Sequence, residues 1–179
     1  MATLKTGCGK ELVVTERTQK HLETHPEAGT LLAEAVSKIT IPTDGGFLLV
    51  EVDMGRVIGK SALVVATMIG PDEETLFACR KGRDVPSRIR NDIERPDTNL
   101  FTVIAGVHEG AWTLFTGFNG PSAAKEPHDD TLAGGNEKEL VFWCTHALVW
   151  DEGWDAPFTS TWRKVLDQVA KKRATEPKQ

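Results

Sequence analysis

The segment Thr113-Leu114-Phe115-Thr116-Gly117-Phe118-Asn119-Gly120 carries the clearest structural signal in this sequence. Its apolar and β-favouring side chains predict a strand, and its two glycines lead that strand into a loop. The loop, residues 121–130, contains four candidate polar groups, Lys125, Glu126, His128 and Asp129. Because binding and catalytic groups are often placed where a buried strand ends, we predict that the Thr116 hydroxyl belongs to a site.

Four further segments with strand patterns precede this one along the chain. They are Phe47–Val52, Ser61–Met68, Leu76–Arg80 and Phe101–Val107. Turn residues at Asp53-Met54-Gly55 and at Glu109-Gly110 separate neighbouring segments. These patterns predict a twisted, mostly antiparallel sheet that meanders from strand to strand.

Helical periodicity dominates both ends of the sequence. Thr15 can cap a helix that begins at Glu16, and Pro26 can start a second helix with an apolar stripe. Asn136–Trp150 and Thr161–Arg173 predict two C-terminal helices. We therefore predict an α+β fold in which N-terminal helices pack on the twisted antiparallel sheet, with C-terminal helices added. Residues 1–173 are expected to form a single domain, followed by a disordered tail over residues 174–179.

Composition narrows the classes of function. The 179 residues carry a net charge of -5, which argues against nonspecific coating of nucleic acid. No apolar run reaches the roughly 20 residues of a membrane span, and no apolar signal core follows the N-terminus, so we expect a cytoplasmic protein without membrane contact. The three cysteines, Cys8, Cys79 and Cys144, fit neither a disulfide framework nor a zinc ribbon. We predict no cofactor and no bound metal.

Residues 80–95 carry a net positive charge although the whole chain is acidic, because they contain six cationic and three acidic side chains. Arg80, Arg83 and Arg88 offer planar donors that suit phosphate, although a solvated loop with Arg–Asp pairs explains the same pattern equally well. Lys60 follows a glycine-rich segment that lacks the spacing of a phosphate-binding loop. The residues predicted to bind substrate are Lys60, Arg83, Arg88, Glu126 and Asp129.

His21 and His25 stand four residues apart, which on a continuous helix would place both imidazoles on one face. Pro26 disfavours helical geometry at His25, and no third metal ligand is evident in the sequence. We therefore favour a role for one of these residues as general acid or base over a metal site.

The segment His21-Leu22-Glu23-Thr24-His25-Pro26, the strands around Arg80–Arg88 and the Thr113–Phe118 strand occur in an order that resembles the Barnase/EndoU/colicin/RelE-like nuclease superfamily. The likeness covers residues 12–130 and points to the phage- and toxin-associated branches of that group. It implies metal-independent cleavage of RNA, with the 2′-hydroxyl attacking the adjacent phosphate. His21 or His25 would be the base, Arg80 and Arg83 the phosphate clamp, and Thr116 the assisting hydroxyl. The acidic composition, the lack of tyrosine and the helix over residues 136–150 depart from the superfamily pattern.

Two other functions fit the same residues. A non-enzymatic cytoplasmic protein-binding or regulatory module would present the Trp154 loop and the Trp143 helix to a partner protein. A metal-dependent hydrolase would use His21 and His25 together with Asp129. RNA and a protein partner are therefore both predicted ligands, and the sequence leaves the oligomeric state open.

Overall fold

The computed structural model describes residues 2–23, 26–132 and 134–175, with side chains at all of these except 21 and 26–28. Within them lie twelve strands and four helices. The strands are β1 (Ala2–Lys5), β2 (Glu11–Val14), β3 (Phe47–Asp53), β4 (Gly59–Lys60), β5 (Leu63–Val65), β6 (Thr75–Cys79), β7 (Pro86–Arg90), β8 (Asp97–Thr98), β9 (Leu100–His108), β10 (Ala111–Asn119), β11 (His146–Val149) and β12 (Phe158–Ser160). The helices are α1 (Glu16–Glu23), α2 (Pro26–Ser37), α3 (Glu137–Thr145) and α4 (Trp162–Thr175).

The chain divides into two compact units, each built from two separate stretches of sequence. Unit 1 consists of residues Met1–Ser61 and Pro96–Ser122, and unit 2 consists of residues Ala62–Arg95 and Ala123–Gln179. Each unit has its own five-stranded sheet and its own apolar core.

The sheet of unit 1 has the strand order β1-β2-β10-β9-β3, and a two-stranded ribbon of β4 and β8 lies in the same unit. Its centre is the β9–β10 hairpin, which turns at Glu109 and Gly110 with φ angles of 51° and 79°. Positive φ at both central residues gives a turn whose twist matches that of the flanking strands. The turn predicted at this position is therefore confirmed.

Helices α1 and α2 pack against the sheet of unit 1. The predicted cap of α1 is confirmed, because the Thr18 amide donates to Thr15 Oγ1 at 3.2 Å. The apolar stripe of α2 is buried in one cluster with the sheet. That cluster includes Leu32, Ala35, Val36, Phe101, Val103 and Leu114.

Gly117 in β10 lies beneath the Leu32 side chain of α2 and beside the Phe101 ring of β9. A Cβ at this position would be 2.9 Å from Phe101 Cε1 and 3.2 Å from Leu32 Cδ1. Real Cβ atoms essentially never come within 3 Å of a non-bonded heavy atom outside their own and adjacent residues, so either the Phe101 ring or the backbone must shift to admit a side chain. The glycine is therefore needed here for its size.

The sheet of unit 2 has the strand order β12-β6-β7-β11-β5. β7 pairs antiparallel with β6 and parallel with β11, so it is an interior strand with partners on both sides. Phe77, Trp143 and Trp162 belong to the larger apolar cluster of the unit. Val64, Ala66, Ala147 and Val149 form a second, smaller cluster. Because α3 and α4 supply Trp143 and Trp162, these helices are part of the core of unit 2.

The predicted fold class, N-terminal helices on one meandering sheet with C-terminal helices added, is wrong. The strands form two five-stranded sheets and a ribbon, and the N-terminal helices are only 8 and 12 residues long. Periodicity identified five of the twelve strands, β3, β5, β6, β9 and β10, but pairing such as that of β7 with β11 joins segments far apart in sequence. Local pattern does not specify such partners.

The predicted helix over residues 136–150 also needs correction, since α3 ends at Thr145 and β11 follows at once. The Thr145 hydroxyl donates back to the Phe142 carbonyl at 2.9 Å, and His146 has extended backbone angles of -127° and 158°. Ala147–Val149 are buried between β5 and β7. A short apolar run fits either element, and here strand pairing outweighs helix propensity.

The remaining predictions about organisation have mixed outcomes. The division into two units does not test whether residues 1–173 form a single domain, so that statement stays a prediction. Helix α4 includes Ala174 and Thr175, the first two residues of the predicted tail, while residues 176–179 lie outside the described residues. Within the described part of the chain, no helix is long and apolar enough to cross a membrane.

Replacing Gly117 with alanine should lower the free energy of unfolding by about 1–3 kcal/mol, because the new methyl group overpacks the contact with Phe101 and Leu32. Gly46→Ala is the matched control, since a Cβ there would lie 3.9 Å from Val107 Cβ, an ordinary contact. Urea denaturation of both variants measures the difference. Equal stability of the two variants would contradict the role of Gly117.

Candidate functional site

The residues predicted to form one site are distributed over both units. His21, His25, Lys60 and Thr116 belong to the sequence of unit 1. Arg80, Arg83, Arg88, Glu126 and Asp129 belong to unit 2. Because His21 and Thr116 belong to one unit and Arg80 to the other, their convergence on one phosphate stays a prediction.

The unit 1 candidates have different surroundings. His21 is part of helix α1, while its side chain and the whole of His25 lie outside the described residues. Thr116 follows a bulge in β10 and lies three residues before the strand ends, so it is not at the strand end as predicted. Lys60 forms an ion pair with Asp97 across the β4–β8 ribbon at 2.7 Å.

In unit 2 the structure brings two of the predicted site residues into direct contact. Arg80 follows β6, and its Nη2 donates to Glu126 Oε1 on the loop before α3. The same carboxylate oxygen accepts a hydrogen bond from Ser87 Oγ at 2.9 Å. The Arg80 side chain remains 28% exposed.

Burial and the Glu126 carboxylate act on the charge of Arg80 in opposite directions. Burial lowers the pKa of Arg80, and the Glu126 carboxylate opposes that shift. The guanidinium nevertheless stays cationic at neutral pH. Its Nε is buried without an acceptor among the described residues, so this donor is unsatisfied and is not accessible from the surface.

His128 is the site residue to which sequence reasoning assigned no role. Its Nε2 lies 3.3 Å from the Pro86 carbonyl, and Pro86 precedes the Ser87 that binds Glu126. The imidazole lines an open pocket of about 400 Å³, together with Arg173 of α4. Burial lowers the pKa of His128, while the charge of Glu126 acts to raise it. The feature of the sequence that could have identified His128 as a site residue is its position two residues after Glu126.

Asp129 and Thr131 shape the loop that carries His128. Asp129 Oδ1 accepts hydrogen bonds from the Thr131 amide at 2.8 Å and from Thr131 Oγ1 at 2.5 Å. These bonds lower the pKa of Asp129 and close a tight turn. Arg83 is exposed, and its amide donates to the Arg80 carbonyl at 2.9 Å. Asp129 therefore has a structural role within the loop, and Arg83 remains accessible to a ligand.

Arg88 differs from its predicted role, because it is a buried structural residue with an exposure of only 2%. Its Nη1 donates to the carbonyls of Trp143 and Cys144 at 3.1 Å and 2.8 Å. Its Nη2 donates to the Thr67 carbonyl at 2.8 Å. The guanidinium is thus used to satisfy backbone carbonyls at the end of α3 and beyond β5, and it presents almost no surface to a substrate.

Trp143 and Trp154, which mark the helix and the loop proposed to face a partner protein, both pack in or against the core of unit 2. Trp143 is buried in the core of unit 2, and its Nε1 donates to the Lys125 carbonyl at 3.0 Å. Trp154 is half-buried and packs against the same cluster. The surface that α3 presents is therefore formed by its other side chains.

No protein-family model, curated protein or solved structure matches this chain. Among the described residues, no three His, Cys, Asp or Glu side chains are grouped to hold a metal ion. The hydrolase alternative depends on His25, which lies outside them, and it stays a prediction. What unit 2 offers is a carboxylate, an imidazole and a guanidinium, which together can bind an anion and transfer a proton.

Replacing Arg88 with methionine should lower the free energy of unfolding by about 3 kcal/mol or more, because several buried carbonyls lose their donor. Arg90→Met is the control, since Arg90 lies on the same strand and pairs with Asp92 at the surface. That exposed pair is expected to contribute less than about 1 kcal/mol. Denaturant unfolding tests this, and similar losses in the two variants would refute the structural role.

The pKa of His128, followed through its imidazole NMR signals, should lie below 6.5 in the folded protein because of burial. Glu126→Gln should lower it further, since the variant removes the charge that stabilises the imidazolium. Asp130→Asn is the control and should leave the titration unchanged. A pKa that rises in the Glu126 variant would contradict the assigned contact.

Proposed function

We propose that this protein cleaves RNA by a metal-independent mechanism at the Arg80–Glu126–His128 cluster of unit 2. The observation that supports this most is the contact of two predicted site residues, Arg80 and Glu126, next to a half-buried histidine. The Glu126 carboxylate binds Ser87, and His128 lies against the preceding residue, Pro86. Glu126 and His128 are therefore both bonded to residues at the start of β7, which supports a shared site.

In the proposed reaction, His128 is the general base. Its lowered pKa favours the neutral imidazole, the form that accepts a proton from the ribose 2′-hydroxyl. The 2′-oxygen forms a bond to phosphorus while the bond from phosphorus to the 5′-oxygen breaks. The leaving 5′-oxygen takes a proton from solvent water. The products are a 2′,3′-cyclic phosphate and a 5′-hydroxyl.

Arg80 and Glu126 have supporting roles in this reaction. The Arg80 guanidinium would stabilise the negative charge that develops on the phosphate oxygens. The Glu126 carboxylate holds that guanidinium in place and favours the imidazolium formed at His128. Arg173, which lines the same pocket as His128, is a second cation available to the RNA backbone.

The test is incubation of chelator-treated protein with single-stranded RNA and with an oligonucleotide that carries a single ribonucleotide. His128→Asn and Arg80→Lys should each lower the cleavage rate by roughly 100-fold or more. Asp130→Asn, in the same loop, is the control and should retain activity. Cleavage should occur only after the ribonucleotide, because the mechanism needs its 2′-hydroxyl, and should leave a cyclic phosphate end.

Three outcomes would overturn this proposal. Full activity in His128→Asn would remove the assigned base. Loss of activity in His21→Asn, with His128→Asn unaffected, would place the base in unit 1 as the superfamily resemblance implies. Restoration of lost activity by added divalent metal would exclude a metal-independent mechanism.

A further inference from the structure

A second surface of unit 2, separate from the cluster around Arg80, is an open apolar groove between α3 and the segment that follows β5. Its volume is about 580 Å³. The apolar walls are formed by Met68, Ile69, Pro71, Leu140, Val141 and Cys144. We refer to these residues as the α3 groove.

The α3 groove exposes side chains that a folded chain normally buries. Met68 is 76% exposed and Val141 is 68% exposed, and they line the same depression. Isolated apolar side chains at a surface need no explanation, but adjacent ones in a concave site mark a contact surface.

The walls of the groove are tied together by hydrogen bonds. Arg88 donates to the Thr67 carbonyl on one wall and to the Cys144 carbonyl on the other, both at 2.8 Å. The Ile69 amide also donates to the Cys144 carbonyl, at 3.0 Å. The groove is therefore preformed, and a ligand need not order it before binding.

The charged residues that line the groove are both acidic. They are Glu73 and Glu137, and no Lys or Arg is among the described residues of its lining. Glu73 is held in position because its Oε1 accepts a hydrogen bond from the Gly70 amide at 3.0 Å. An apolar floor with two carboxylates beside it is complementary to a ligand with apolar and cationic groups side by side.

We propose that the α3 groove binds an amphipathic helix of a partner protein that carries Lys or Arg beside its apolar face. A helix presents apolar side chains at spacings of three and four residues, which can enter a groove while flanking cations meet its acidic edge. Glu73 and Glu137 favour this basic helix over an acidic one. The proposal is independent of the ribonuclease activity proposed for the same unit.

The probe for this binding is a fluorescent synthetic helix of about 14 residues, four turns, with leucines at alternating spacings of three and four and lysines beside them. Fluorescence anisotropy with the full chain should show saturable binding. Val141→Gln and Met68→Gln should each weaken it about tenfold or more, since they remove apolar contact without adding charge. Val57→Gln is the matched control, because Val57 is 64% exposed and lies in unit 1, and it should leave binding unchanged.

The charge preference is tested in the same assay. The double variant Glu73→Gln and Glu137→Gln should bind the lysine peptide more weakly and with less dependence on salt. Glutamine at position 73 keeps an acceptor for the Gly70 amide, so the wall should stay in place. A peptide with glutamates in place of the lysines should bind the original chain more weakly.

Absence of saturable binding by the lysine peptide would overturn the proposal, as would equal binding by Val141→Gln and the original chain. Stronger binding of the glutamate peptide would also contradict it. Sedimentation equilibrium tests the other occupant, a second copy of this chain. A dimer that Val141→Gln dissociates would show that the groove is a self-association surface, and the partner helix would then be excluded.

Discussion

The buried guanidinium of Arg88 is the interaction on which unit 2 depends most. Removing a cation from water is costly, and burial lowers the pKa of this group accordingly. Among the described residues, the groups that accept hydrogen bonds from Arg88 are backbone carbonyls and the Thr75 hydroxyl, and none is a carboxylate. Instead it binds carbonyls at the C-terminal end of α3, where the helix dipole is negative, and the Thr67 carbonyl beyond β5. The planar fork of arginine can reach several carbonyls at once, which a lysine ammonium at the same position would do less well.

The strand that carries Arg88 also organises the proposed site. Successive residues of a strand point to opposite faces, so Ser87 and Arg88 reach different neighbours. Ser87 donates to the Glu126 carboxylate, and Arg88 binds the end of α3. Pro86, the first residue of the strand, has no amide to donate, but its carbonyl meets His128. One interior strand therefore contacts His128, binds the Glu126 carboxylate and ties together the two walls of the α3 groove.

Sequence reasoning succeeded where the determining contacts are local. The Thr15 cap and the Glu109-Gly110 turn each depend on residues within one turn of the chain. For the charged segment over residues 80–95, an anion-binding surface and a solvated loop were equal alternatives, and neither predicts that Arg88 is buried in a strand, β7. Arg88 is buried there because carbonyls more than fifty residues away in sequence accept its hydrogen bonds. His128 illustrates the same limit for the site, since the burial that lowers its pKa arises only from the folded chain.

The exposure of the α3 groove follows from how α3 is anchored. Residues two apart on a helix differ by about 200° in direction, so burying Trp143 in the core turns Val141 outward. Rolling α3 to bury Val141 would withdraw Trp143 from the core and break the Arg88 contacts with the Trp143 and Cys144 carbonyls. Leaving a valine or methionine in water forgoes about 1.5–3 kcal/mol for each side chain. The fold prevents the chain from burying these side chains itself. A partner that covers the groove therefore gains the free energy of burying them.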